Sequence, residues 1–324
     1  MVRFHRDRSI ARLSSFASKG QEAPHHRAAV GYIPIRSIGD RRISYFPYFG
    51  GSLIPYTKAH ACGNDFLIVS EDAVPDHDRP DVTRRLCLRN AGIGADGVEF
   101  FSWTGPKSGR IRLHNADGSI AEISGNGTRC VAAWMAQVLA SERGDELEIV
   151  TDAGLRICRI DAVRKDHGFS VEVTTNMDVP KFMPHTLKLT HGAEIIGVEV
   201  SVGNPHFVIL VEHSDFSVDG KAWQTIGAEV CAHRDFPNQT NVEFVRILSE
   251  HEIEVRIFER GVGPTASSGT GSSAAATAAL ALRRCVSPLT VIAPGGPQAV
   301  SWGGPGMELD LTGPASLIAC GEAW

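Results

Sequence analysis

SGNGTRC at residues 124–130 and SGTGSS at residues 268–273 are two similar stretches that begin 144 residues apart. Each opens with a serine and a glycine, and each leads into an apolar run of helical length. These runs are VAAWMAQVLA in the first case and AAATAALALRR in the second. The pattern predicts two helices, each of which begins on a glycine-rich turn.

The same offset of 144 residues relates other parts of the chain. VEF at 98–100 matches VEF at 242–244, and IRLHN at 111–115 matches VRIFE at 255–259. A weaker echo, GNDF at 63–66 and GNPH at 203–206, is offset by 140 residues. Several matches in register indicate a duplicated unit, and they predict two similar lobes that face each other across a cleft.

The composition narrows the classes of function. The chain has 324 residues, a formal net charge of -5 and a pI near 6.2, which argues against a general nucleic-acid binder. No apolar stretch approaches the roughly 20 residues of a membrane helix, so we expect no membrane span. The seven cysteines are scattered and form no C-x-x-C pair, which favours reduced thiols in the cytoplasm and no metal site. A small-molecule partner is expected.

Residues 1–52 differ in charge from the rest of the chain. They carry eight Arg and one Lys against three acidic residues, so this segment is about +6 and the remainder about -11. The segment shows no sustained helical or strand periodicity, and its composition favours disorder. A dispensable tail, a targeting segment and a partner-binding arm all fit this composition.

The two predicted helix starts indicate a chemistry for the cleft. Each offers free backbone N–H groups and the positive end of a helix dipole, which together favour a bound anion. Ser124 and Ser268 stand immediately before these helices and would flank the bound molecule on opposite faces. Such an arrangement suits removal of a proton from one side of a carbon and its return to the other.

The chain resembles the diaminopimelate epimerase family over nearly all of residues 56–324. The stretches that carry the resemblance are KAHACGNDFLIV, NAGIGADGVEF, HNADGSIAEISGNGTRC, VSVGNPHFVIL, TNVEFVRI, IFERGVGPTASSGTGSSA and GPGMELDLTGPA. The resemblance implies an α+β fold of two pseudo-symmetric lobes, each a strand-rich, barrel-like mixed sheet around a central helix. We expect the first lobe at 53–171 with a returning strand at 312–324, and the second lobe at 172–311.

The resemblance also implies the site residues. Asparagine amides that would hold amino and carboxylate groups are Asn64, Asn115, Asn204 and Asn241. A pair that would grip the reacting end of the substrate is Glu259 and Arg260. Backbone groups that would bind a carboxylate belong to Gly125, Asn126, Gly269 and Thr270. Histidines near the cleft are His60 and His206. Each could either pack with its hydrogen bonds satisfied or transfer a proton, and His206 is taken as the candidate for proton transfer.

An isomerase of this family implies an amino-acid or carboxylic-acid substrate, no pyridoxal phosphate or other cofactor, a homodimer, and a place in lysine biosynthesis. The chain departs from the family at the decisive positions, because Ser124 and Ser268 replace the catalytic cysteines. Ser273 also replaces a usual cysteine, and Pro264 replaces a common acidic residue. A serine hydroxyl ionises far less readily than a thiol and needs a partner to take its proton.

Three hypotheses follow from the serine pair. The protein could shift a proton beside a carboxylate with Glu122, Glu259, His60 or His206 as the base. It could epimerise an amino acid, slowly or on a substrate with a more acidic α-proton. It could bind an amino-acid-like ligand without turnover. Asp96-Gly97 and Asp117-Gly118 are interpreted as turns.

Overall fold

The structure of the protein, a computed structural model, describes residues 53–166, 168–190 and 192–324. The basic segment at 1–52 lies outside the described residues, so the expectation that it is disordered stays a prediction. In the described part of the chain the α-helices are α1 (Arg79–Cys87), α2 (Gly125–Leu139), α3 (Trp223–Cys231) and α4 (Gly269–Ala281). None of these helices has the length and apolar character needed to cross a bilayer.

The strands of the described residues form one continuous sheet. In chain order they are β1 (Ile54–Ala61), β2 (Asn64–Ser70), β3 (Gly97–Gly105), β4 (Ser108–Asn115), β5 (Ile120–Ala121), β6 (Glu146–Thr151), β7 (Gly154–Arg164), β8 (Phe169–Asn176), β9 (Lys181–Lys188), β10 (Glu194–Ser201), β11 (Pro205–Leu210), β12 (Asn241–Ser249), β13 (Glu252–Glu259), β14 (Gly263–Thr265), β15 (Leu289–Ala293), β16 (Gly296–Trp302) and β17 (Leu309–Ala323).

The first half of the sheet closes into a barrel. Its circuit of hydrogen-bonded neighbours runs β1-β2-β3-β4-β6-β7-β8-β17 and returns to β1. The pairs β2–β3 and β4–β6 are parallel, and the other pairs are antiparallel. Helix α2 fills the interior and packs on a core that includes Leu147, Ile149, Val171 and Val173.

The second half repeats this order. Strands β10-β11-β12-β13-β15-β16 pair in sequence and join β17, with β9 beyond β10. The parallel pairs β11–β12 and β13–β15 stand where β2–β3 and β4–β6 stand in the first half. The duplicated segments therefore become corresponding strands, which confirms the predicted α+β fold of two similar halves. The lobe limits at 171/172 and 311/312 fall within β8 and β17, and they stay a prediction.

Helix α4 is buried on every side from Gly269 to Ala279. A helix enclosed by a curved sheet must be apolar all round and slim, and this one consists almost wholly of Ala, Gly, Ser and Thr. Alanine also has the highest intrinsic helix propensity. The residues around it include Val255, Ile257, Val291 and Leu311. Small side chains on α4 thus leave room for the sheet to wrap tightly.

The N-termini of α2 and α4 meet at a pair of glycines. A Cβ atom added to Gly269 would lie 2.7 Å from Cα of Gly125 and 3.0 Å from the backbone N of Asn126. A Cβ atom added to Gly125 would lie 3.0 Å from Cα of Gly269. Both contacts involve backbone, which cannot swing aside. Glycine at both positions therefore sets how closely the two helix starts approach.

We predict that Gly269→Ala lowers the free energy of unfolding by about 1–3 kcal/mol, because the new methyl group overpacks a rigid contact. Urea unfolding followed by circular dichroism measures this change. Gly303→Ala is the matched control, since its Cβ would meet only the flexible Met307 side chain, at 3.5 Å. Equal midpoints for the two variants would contradict the close helix contact.

Candidate active site

A cavity of about 820 Å³ lies where α2 and α4 begin. Ser124 and Ser268 both line it, as the paired helix starts predicted. Other predicted site residues in its wall are Asn64, Asn115, Asn204, Asn241, Glu259, Arg260 and Thr270. Residues from both halves of the duplicated fold therefore surround one space.

Five predicted site residues lie outside the lining of the cavity, and His60 is one of them. Gly125, Asn126 and Gly269 belong to the first turns of α2 and α4, just behind the wall. His206 is buried within β11. The first N–H groups of a helix have no acceptor within the helix, so those of the two glycine-led turns can still take part in anion binding.

Ser124 and Ser268 are the N-cap residues of α2 and α4. Oγ of Ser124 accepts a hydrogen bond from the Gly127 N–H at 3.0 Å, and Oγ of Ser268 accepts one from the Gly271 N–H at 3.2 Å. Both residues have extended backbone dihedrals, as N-caps require. Because each hydroxyl oxygen acts as an acceptor toward its helix, each hydroxyl proton can be donated elsewhere.

Glu259 supplies a carboxyl group on the Ser268 side of the cavity. It stands at the end of β13 and lines the cavity. Burial raises the pKa of Glu259 to about 7. A hydrogen bond from Ser268 lowers this pKa, but its effect is smaller than that of burial. A carboxyl group that titrates near neutrality suits general acid–base catalysis. Here the structure provides the second group that a serine needs.

The Ser124 side has a different chemistry. The offset of 144 residues places Asn115 where the other half has Glu259, and its Nδ2 donates to Oγ of Ser119 at 3.0 Å. Glu122 also lines the cavity, and it forms an ion pair with Nη2 of Arg260 at 3.1 Å. The two halves thus share a backbone arrangement but differ in the polar side chains beside each serine.

His206 lies behind the cavity and holds an asparagine. Its Nδ1 is 2.7 Å from Oε1 of Glu243, and its Nε2 is 2.8 Å from Oδ1 of Asn204. Burial raises the pKa of Glu243, an effect that His206 opposes. Both ring nitrogens have partners, so this geometry makes His206 a support for Asn204. The other histidine, His60, does not line the cavity, but its Nδ1 accepts from the N–H of the lining residue Gly63 at 3.3 Å.

Asn204 and Asn241 use their amides differently. Asn204 presents its Nδ2 toward Oγ1 of Thr270 at 3.4 Å. Asn241 donates to the Pro205 carbonyl at 3.1 Å and accepts from the Arg260 N–H at 2.9 Å. Asn241 therefore fixes the backbone on either side of it, whereas Asn204 keeps a donor near the start of α4.

Asp96 is a member of the site that the sequence interpretation treated only as a turn residue. Its Oδ2 accepts from Nδ2 of Asn64 at 2.6 Å and from the Asp65 N–H at 3.1 Å. Arg89 bonds the carboxylates of both Asp65 and Asp96. Asn64 also accepts from Nδ2 of Asn126 at 3.1 Å, so this network connects the cavity wall to the first turn of α2. The Asp-Gly dipeptide gave no signal of this second role.

The cysteines lie apart from this chemistry. All seven are free, and only Cys320 is exposed. Cys130 is fully buried within α2, and burial raises the pKa of its thiol. In the described ranges, no group of three or more His, Cys, Asp or Glu side chains could hold a metal ion.

Comparison with known proteins gives a family for this arrangement. A sequence profile described as diaminopimelate epimerase matches residues 56–183 and 198–318. A diaminopimelate epimerase of Prochlorococcus marinus (strain NATL1A) is 32% identical over 283 residues, which cover 82% of this chain and 98% of that protein. One of Moorella thermoacetica is 35% identical over 281 residues, with the same coverage.

Solved structures show the same fold at low sequence identity. A hydroxyproline epimerase from Agrobacterium vitis, crystallised with trans-4-OH-L-proline, superposes with a TM-score of 0.62 at 16% identity. The match covers 84% of this chain and 91% of that one. From the family profile and these two bacterial relatives together, the chain belongs to the diaminopimelate epimerase family.

Proposed function

We propose that the protein is a cofactor-independent isomerase that moves a proton at the α-carbon of an amino acid or a related carboxylic acid. One observation carries the proposal: the N-cap serines of two abutting helices line the same cavity. Family membership supports an epimerase-type reaction. The homodimer, the cytoplasmic location and the role in lysine biosynthesis that the resemblance implies stay predictions.

The two helix starts would bind the substrate carboxylate. The N–H groups of Asn126 and Thr270 are each the second of their helix, and they have no intrahelical acceptor. The positive ends of both helix dipoles favour the negative charge, which increases on the carboxylate as the α-proton leaves. The same groups would therefore bind the substrate and stabilise the charge that develops during the reaction.

Proton transfer would use one group on each face of the α-carbon. Glu259, as the carboxylate, accepts the α-proton on the Ser268 side, and the electron pair of the broken C–H bond moves into the substrate carboxylate. A new C–H bond then forms on the opposite face as the O–H bond of Ser124 breaks, and the serine oxygen must regain a proton to complete the turnover. Because the proton leaves from one face of the α-carbon and is added to the other, the product has the inverted configuration.

The remaining polar groups would select and orient the substrate. Two side chains offer donors for a second polar group of the substrate, those of Asn204 and Arg260. His206 holds the side chain of Asn204, and Asn241 holds the backbone of Arg260. Asn64 and Asn115 lie on the wall from the first half. His206 therefore takes a positioning role in this proposal, in place of the proton transfer that the sequence suggested.

A second candidate reaction is migration of a double bond in another carboxylic acid. The observation that favours it is the absence of a thiol at both serine positions. A serine hydroxyl is a poor base, and a substrate with a more acidic α-proton would compensate for it.

We expect α-proton exchange when the protein is incubated in deuterated water with meso- and LL-diaminopimelate and a panel of other amino and carboxylic acids. Mass spectrometry measures label, and chiral chromatography measures inversion. Label with inversion supports epimerisation, and label with a shifted double bond supports the second candidate. Binding without any label would contradict both reactions and leave a ligand-binding protein.

The exchange rate should rise with pH through about 7, because Glu259 must lose its proton before it can act as the base. Glu259→Gln should lower kcat by roughly 10²–10⁴-fold, as loss of a general base does. Glu254→Gln is the control, since Glu254 lies on the same strand and pairs with Arg246 and Arg256 instead of lining the cavity. Full activity in the Glu259→Gln variant would remove Glu259 from the mechanism.

Conversion of both Ser124 and Ser268 to Cys should create or increase diaminopimelate epimerisation, by roughly tenfold or more. A helix N-terminus lowers the pKa of a thiol enough to give useful thiolate at neutral pH. The single variants serve as controls, because the reaction of the family uses a cysteine on each face. No gain in the double variant, with its fold intact, would show that the binding groups do not fit diaminopimelate.

A further inference from the structure

Glu99 is a buried carboxyl group that the mechanism above leaves unused. It lies on β3 with none of its surface exposed, and neither Oε1 nor Oε2 has a hydrogen-bond partner among the described residues. A carboxyl group without any partner is costly to bury, particularly in its charged form. Burial raises the pKa of Glu99 to about 8, so the group is mostly a neutral acid at pH 7.

Glu99 lies against the turn that Ser124 caps. A Cβ atom added to Gly127 would collide with Oε1 of Glu99. The same added Cβ atom would lie 3.2 Å from Cβ of Ser124. The other half repeats the arrangement, since a Cβ atom on Gly271 would lie 2.9 Å from Oε1 of Glu243 and 3.3 Å from Oγ of Ser268. A buried glutamate therefore stands behind each serine.

The two glutamates differ in their partners. Glu243 is bonded to His206, but the corresponding position in the first half, 140 residues earlier, holds Phe66. The titratable groups that face Glu99 are Asp152, which raises its pKa further, and the buried thiol of Cys130 on α2. No basic group of the described residues contributes to the pKa of Glu99. The first half thus keeps an unpaired acid where the second half has a Glu–His pair.

We propose that Glu99 is the proton partner of Ser124 and acts on the substrate only through that serine. This inference rests on the proposed function, in which Ser124 gives its hydroxyl proton to the substrate carbon. Glu99 and Ser124 are neighbours at Gly127 but make no hydrogen bond to each other, so a rotation of one side chain must first bring the two groups together. The O–H bond of the Glu99 acid then breaks as a new O–H bond forms on Ser124, which leaves Glu99 as a carboxylate and avoids a persistent alkoxide. Glu259 then releases its proton to the cavity, and Ser124 takes up one proton from the cavity as it passes its own to the Glu99 carboxylate, which restores both groups.

Glu99→Gln tests this role, because glutamine keeps the shape of the side chain but cannot donate an acidic proton. The wild-type exchange rate should rise through about pH 7 and fall above about pH 8, as Glu259 must be ionised and Glu99 protonated. In the variant, kcat should fall by roughly 10²-fold or more and the decline above pH 8 should disappear. KM should stay the same, because Glu99 does not line the cavity.

Two further variants separate this role from a structural one. Glu99→Asp keeps the acid and should retain the alkaline decline at a reduced rate. Glu148→Gln, an exposed change on β6, should leave the rate and the pH profile unchanged. A Glu99→Gln variant with an unaltered pH profile and unaltered kcat would overturn the inference while the proposed isomerase remains.

Infrared difference titration gives a readout besides activity. The wild type should show the C=O band of a protonated carboxyl group that disappears near pH 8, and Glu99→Asp should shift this band. Absence of such a band in the wild type would overturn the inference even if Glu99→Gln fails to fold. If the band is present but no acid exchanges its α-proton, the proposed function fails, and the proton-partner role fails with it.

Discussion

The contact between Gly125 and Gly269 is the constraint on which the rest of the site depends. Only hydrogen in place of a side chain allows the backbones of α2 and α4 to approach this closely. The contact brings two helix N-termini, each with unpaired N–H groups, to one cavity. It also brings the two serines that cap those helices to the same cavity, so the helix N-termini and both hydroxyls are placed by one packing feature.

Duplication supplies the scaffold, and substitution within each copy supplies the chemistry. Glu259 in the second half occupies the position equivalent to that of Asn115 in the first half. The Glu243–His206 pair occupies the positions equivalent to those of Glu99 and Phe66. A symmetrical backbone thus carries an asymmetrical set of polar side chains. In the proposed mechanism this asymmetry is important, because each serine hydroxyl works with a neighbouring carboxyl group, Glu259 for Ser268 and Glu99 for Ser124.

The sequence was sufficient to predict the helix starts, the duplicated fold and the cavity residues that come from strongly patterned turns. Glycine spacing and N-cap serines are local signals, so Ser124 and Ser268 could be recognised directly. The support given by His206 and the network of Asp96 depend on partners more than 30 residues away. The missing partner of Glu99 is a tertiary property that no local pattern contains.

The most direct test of the account is a crystal structure of the protein with an amino-acid substrate or unreactive analogue bound. The account predicts a carboxylate within hydrogen-bond distance of the N–H groups of Asn126 and Thr270. It also predicts an α-carbon between Oγ of Ser124 and Oγ of Ser268. A carboxylate bound elsewhere, or an α-carbon with both serines on one face, would contradict it.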